Sequence, residues 1–163
     1  MESIKEAAKA RGIWKLEKWN PGSDLEAAPD EVLEGENLSL TTGLTEMLKL
    51  FTGQGGTAFS NANAQIGVGD SATAPAAGQT DLQAATNKTY VGMVTGYPTV
   101  PSGASVQFQA SFGSSSANYA WNELVVKNSS SLICLNRTTN GGSGWGTKVS
   151  GATWVITVTY SLS

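Results

Sequence analysis

The segment 152–163, ATWVITVTYSLS, decides the fold class. Its even positions are Ala152, Trp154, Ile156, Val158, Tyr160 and Leu162; its odd positions are Thr153, Val155, Thr157, Thr159, Ser161 and Ser163. Successive side chains of a strand point to opposite faces, so a period of two marks one buried face and one wet or lightly covered face. The β-branched and aromatic residues favour the same state. Burying these apolar side chains contributes about 1.5–3 kcal/mol each before ordering entropy is subtracted, which makes the strand central to a sheet.

Working back from that strand, short segments with turn signals recur. Residues 64–69 (AQIGVG), 88–97, 105–113 (SVQFQASFG), 119–127 (YAWNELVVK) and 132–137 read as strands, the last two as a hairpin. Residues 43–51 read as one short helix with Thr41 or Thr42 as N-cap and Leu44, Met47, Leu48 and Phe51 on one face. Residues 80–85 suggest a single helical turn. Nineteen glycines and five prolines in 163 residues suit many tight turns. The expected class is all-β, a sandwich or jelly-roll-like barrel with one short helix and an extended N-terminal arm.

The arm is inferred from charge. Residues 1–49 hold six basic and ten acidic residues, whereas residues 50–163 hold only Asp70, Asp81, Lys88, Glu123, Lys127, Arg137 and Lys148. Residues 2–11 contain good helix formers but are too few to be stable alone in water. Residues 13–19 (IWKLEKW) alternate with neither face cleanly apolar, and 20–36 form an acidic, proline-punctuated connector. The expected division is therefore an arm over 1–36 and a β-sandwich domain over 37–163. The arm's Ile13, Trp14, Leu16 and Trp19 are its candidate contacts with a partner or a neighbouring copy.

Composition narrows the function classes. A net charge of −3 leaves no basic footprint for nucleic acid. No apolar run approaches the ~20 residues of a membrane span, and the charged first dozen residues lack the apolar core of a secretory signal. There is no histidine, so the usual catalytic base is missing. The single cysteine, Cys134, sits between Ile133 and Leu135 and reads as a small buried apolar residue. Asp70, Asp81 and Glu123 are scattered, and read as turn caps or ion-pair partners rather than a paired-carboxylate site. Gly67-Val68-Gly69 lacks the third glycine and phosphate-binding lysine of a nucleotide loop and reads as a turn. No cofactor or metal is expected. The Asn-x-Ser/Thr sequences at Asn37, Asn87, Asn128 and Asn136 arise by chance in so polar a chain. Among the tryptophans, Trp121 and Trp154 read as packing. Trp145, in the glycine-rich loop 140–146, is the candidate surface contact for a glycan.

The order of segments resembles tailed-bacteriophage virion structural proteins. The resemblance is carried by LTTGLTEMLKLFTG (40–53), AQIGVGDSATAPAAGQTDLQAAT (64–86), SVQFQASFGSSSANYAWNELVVKN (105–128), LICLNRT (132–138) and TKVSGATWVITVTYSLS (147–163). It covers roughly residues 38–163 and leaves 1–36 unexplained. The resemblance implies a non-enzymatic component of the phage particle, assembled in the host cytoplasm. Such a component is a capsid decoration (cement) protein bound to the major capsid protein and to sister subunits as a trimer. The alternatives are a minor tail, baseplate or fibre-associated protein, or a glycan-binding module on the virion surface. It also makes Trp121, Asn122, Glu123, Asn136 and Arg137 scaffold positions. Glu123 and Arg137 are then either a cross-strand pair or two solvated charges.

Overall fold

The computed structural model describes residues 10–101, 103–140 and 144–162. Eight strands and one helix follow in the order β1 (Ala10–Trp19), β2 (Glu31–Ser39), α1 (Thr41–Thr52), β3 (Ala64–Gly69), β4 (Lys88–Gly92), β5 (Ser105–Phe112), β6 (Glu123–Asn128), β7 (Cys134–Thr139) and β8 (Thr153–Leu162). All pairings are antiparallel, and the strand order is β4-β3-β6-β7-β2-β1-β8-β5. Residues beyond β4 bond back to β5, with Val94 N–H donating to Gln109 O at 2.9 Å and Thr99 and Gln107 exchanging backbone bonds at 2.9 and 2.8 Å. The sheet therefore nearly closes into a barrel, as the all-β reading expects.

The barrel consists of two half-sheets. The front half consists of β2, β1, β8 and β5; the back half of β7, β6, β3 and β4. One strand joins them: β2 pairs with β1 over residues 31–37, then Leu38 and Ser39 pair with Arg137 and Asn136 of β7.

In β8 the alternation holds: Trp154, Ile156, Val158 and Tyr160 are buried, and the odd positions 153–161 are half-exposed. The facing positions of β5 (Phe108, Ala110, Phe112) and β1 (Trp14, Leu16) join the same core. Edge-to-face aromatic contacts run through it: Phe112–Trp121 at 4.8 Å, Trp121–Trp154 at 4.7 Å and Trp14–Trp145 at 4.9 Å. Each such contact adds about 0.5–1.5 kcal/mol beyond area burial.

The expected arm is corrected by this topology. β1 pairs with β8 along its whole length, from Ala10 opposite Leu162 to Trp19 opposite Thr153, and β2 takes the place of the expected connector. Residues 10–36 are thus part of the barrel. The inward face of β1 is not cleanly apolar in sequence because it carries Lys18. Lys18 is buried because its ammonium donates to Trp145 O, pairs with Glu31 at 2.8 Å and lies 4.7 Å from the centre of the Trp154 ring. The expected helix over 2–11 lies outside the described residues except Ala10 and Arg11, which are strand.

The helix also starts differently. Neither Thr41 nor Thr42 caps it: Leu40 is the N-cap residue and no side chain caps the first-turn N–H groups. The start is set by docking. The fully buried Leu40 donates its N–H to Leu135 O, and Thr41 N–H bonds Ala77 O. Gly43 faces β7 so closely that a Cβ there would stand 2.5 Å from Leu135 Cα. At the other end Gly53 takes a left-handed φ of 67°, which glycine adopts without strain. Residues 80–85 form no helical turn; 70–87 cross the back half-sheet as irregular chain.

Candidate functional site

The charges of the back half-sheet lie on its outer face but are covered by the chain, and they organise the region most unlike a simple sandwich. On β6 the inner face carries Leu124 and Val126, leaving Glu123, Val125 and Lys127 to point outward beside Arg137 and Cys134 of β7. The chain from 70 to 87 lies over them. Glu123 and Arg137 are both fully buried. The Arg137 guanidinium donates Nε–H and Nη2–H to Glu123 Oε2 at 2.9 and 2.6 Å. Because Val125 faces Arg137 and Glu123 faces Thr139, the pair is diagonal across the ladder.

Each partner also reaches the covering chain. Glu123 accepts the N–H groups of Gln83 (2.8 Å) and Ala84 (2.7 Å), while Arg137 donates to Gln79 Oε1 (2.8 Å) and Thr73 O (2.9 Å). Gly69 makes room for this: a Cβ there would lie 2.5 Å from Glu123 Oε1. Of the two alternatives open from the sequence, the cross-strand pair is the one formed.

A second cluster stands beside it. Asp81 accepts from Lys127 Nζ and, at 2.6 Å, from the Tyr90 hydroxyl; Lys127 also sits 4.6 Å from the centre of the Tyr90 ring. Burial raises the Asp81 carboxyl, but hydrogen bonds from Lys127, Tyr90 and the Leu82 N–H, with the Lys127 charge, outweigh it and hold it below the usual carboxylate value. Burial, and then the Asp81 charge, push the Cys134 thiol up to about 12, so it keeps its proton at neutral pH and is a weak nucleophile. Burial likewise pushes the Tyr90 phenol up. Chemically, both clusters act as clasps: their lone pairs and protons are spent holding 70–87 against the sheet.

The residues proposed from sequence for contact are separated by strand alternation. Trp14 and Leu16 point into the core and are buried, so neither is a contact with a partner. Ile13 and Trp19 lie on the outer face of the front half-sheet, Ile13 with 38% exposure and Trp19 half-buried. Trp145 is also buried, packed edge-to-face on Trp14, and is corrected as a surface glycan contact. Its N–H and carbonyl bond Trp121 O and Lys18, which draws the loop inward despite its glycines. The cleft above Trp14 and Trp145, about 400 Å³, is walled by Glu34, Glu36, Thr138 and Asn140.

The surface that the sequence reading missed is on α1. Gly43 and Glu46, rather than the leucines, are the buried helical residues. Glu46 is held inside by accepting the Thr57 N–H at 2.6 Å. The helix is thereby rotated so that Leu44 and Met47 are only partly buried, while Leu48 is 64% and Phe51 89% exposed. Leu44, Met47 and Leu48 line an apolar hollow of about 320 Å³ with Ala10 and Leu162, the described ends of β1 and β8. The 3.6-residue period shows an apolar stripe but carries no signal of what covers it.

Among the described residues, no group of three or more His, Cys, Asp or Glu is arranged to hold a metal ion, and no helix is long and apolar enough to cross a membrane. Comparison with protein-family models, curated proteins and solved structures finds no match to the chain.

Proposed function

We propose that this chain is a non-enzymatic structural component of a virion, a capsid decoration protein that binds the major capsid protein and sister subunits at capsid-subunit junctions. The observation that carries this reading is how the chain disposes of its charge and its apolar surface. From residue 50 onward, Glu123, Arg137, Asp81, Lys127 and Lys148 are all engaged in internal contacts. What remains outside is largely hydroxyl, amide and glycine. The exposed apolar side chains Leu48 and Phe51, beside the hollow at the strand ends, form a surface of the kind that marks an interaction site. Contact passes through α1 rather than through an arm. Repetition of a modest contact over a symmetric shell supplies the strength that one copy lacks.

The test is co-sedimentation of the purified chain with undecorated capsids, alongside Leu48→Asp and Phe51→Asp. Both variants are expected to keep the wild-type melting temperature and lose binding. Failure of the wild-type chain to bind, with only a handful of copies in each particle, would instead mean a minor tail or baseplate component. Capsid binding that survives both substitutions removes α1 as the contact.

A further inference from the structure

A second surface feature lies on the outer face of the front half-sheet. Trp19, Thr153 and Val155 project there from neighbouring strands, with Gln109 and Ser111 of β5 alongside, because all occupy odd, outward positions of the ladder. Leu25 and Glu26, in the turn between β1 and β2, and Val94, after β4, wall the ends of a groove of about 550 Å³.

The groove's chemistry is specific. The Trp19 indole is fixed by its Nε1–H, which donates to Ala27 O at 3.1 Å, so its ring is pre-oriented before anything binds. The Gln109 side chain is also held, donating from Nε2 to Thr157 Oγ1 at 3.0 Å, which leaves its amide oxygen turned to other donors. The hydroxyls of Ser111 and Thr153 and the carboxylate of Glu26 make no hydrogen bond to another described residue. An anchored aromatic ring with amide, hydroxyl and carboxylate groups around it matches a pyranose: the C–H face of the sugar stacks on the indole and its hydroxyls meet the polar rim. Among the described residues lining the groove Glu26 is the only charge, so an anionic sugar is disfavoured.

A peptide fits less well. Val155 has its backbone committed on both sides, to β1 and to β5, and the far edge of β5 is taken at Gln107 and Gln109 by Thr99 and Val94, so an extended chain finds no more than the end of β5 beyond Gln109 to join.

We infer that this groove, centred on Trp19, binds a neutral saccharide chain. The inference is independent of the decoration reading, since a protein of either virion location, or of neither, would show it. The experiment titrates the full chain with chitotetraose, cellotetraose and maltotetraose, and with tetragalacturonate and a proline-rich decapeptide as competitors of other chemistry. Binding is read by tryptophan fluorescence and calorimetry. At least one neutral tetrasaccharide is expected to bind saturably. Trp19→Ala should weaken it by about tenfold or more. Thr153→Lys, which fills the groove and leaves Trp19 in place, should weaken it to a similar extent, and both variants should keep the wild-type circular dichroism and melting temperature. No saturable binding of any neutral tetrasaccharide at millimolar concentration overturns the inference. Binding indifferent to both substitutions, or binding of the decapeptide alone, overturns it as well.

Discussion

The two half-sheets solve the same problem in opposite ways. In the front half, β1 and β8 put one face in the core and the other toward solvent, and their burial alternates residue by residue. In the back half, β6 and β7 are buried on both faces: the inner by the aromatic core, the outer by residues 70–87. Front-face charges such as Lys15 and Glu17 pair at the surface, 2.7 Å apart and partly exposed. Back-face charges pair in the dry interior. A sheet can therefore carry polar residues on its outer face for two unrelated reasons, contact with water or clasping of a covering segment, and the same residue types serve both.

Removing one charge from each half separates the two cases most clearly. Arg137→Met leaves Glu123 buried without its partner and is expected to cost about 3–5 kcal/mol, whereas Lys15→Met should cost less than about 1 kcal/mol. Urea unfolding of the two variants measures both, and equal effects would mean the buried pair is no clasp. Next in size is Gly43→Ala. The added methyl group meets the β7 backbone rather than a flexible side chain, and forcing α1 away from the back half-sheet should lower stability by about 1–3 kcal/mol by the same measurement.

Acid titration gives a smaller effect. The folded Asp81 carboxyl is held below its ordinary value of 3.8, so its contribution is present above that value and is lost as pH falls through the lowered folded value. Asp81→Asn should flatten this part of the stability–pH curve, changing stability by about 1 kcal/mol or less near neutrality. If the acid limb of the variant matches that of the wild type, the Asp81–Lys127 clasp has no energetic role. The smallest effect on stability is expected for Phe51→Asp, within about 0.5 kcal/mol in thermal unfolding, because the ring is exposed and supports neither half-sheet. A large loss would show that α1 is covered in the free protein.

Legibility followed solvent. The expected strand 64–69 matches β3, and β5 and β8 fall within a residue or so of their expected bounds, because glycine and proline punctuate the ends and, for β5 and β8, one face is wet. β1 was legible as a strand but not as a member of the barrel. Its inward residues include Lys18, whose burial depends on a carbonyl far along the chain and on Glu31. β2, EVLEGENLS, carries charges because much of it lies on the solvent side and Gly35 sits directly on the Trp14 ring. The glycine-rich setting of Trp145 suggested exposure, whereas its packing on Trp14 and its backbone bonds to Trp121 bury it. Of the residues that line the groove, Trp19 is marked by the sequence as part of an arm and Thr153 and Val155 as the wet or lightly covered face of the closing strand; Glu26, Gln109 and Ser111 have no local pattern that separates them from other surface residues.

The fold class, the position of the closing strand, the burial of Cys134 and the scarcity of charge beyond residue 49 can all be read from the chain before it folds. All of these depend on side-chain period and composition, which are local properties. Long-range packing sets the rest: residues 10–36 complete the barrel, Glu123 and Arg137 meet in the interior, α1 turns leucine and phenylalanine outward, and Trp19 rather than Trp145 faces solvent. Those outcomes depend on which segments cover which faces. That is set by contacts between residues far apart in the chain, each of which is stable only when the other is already in place.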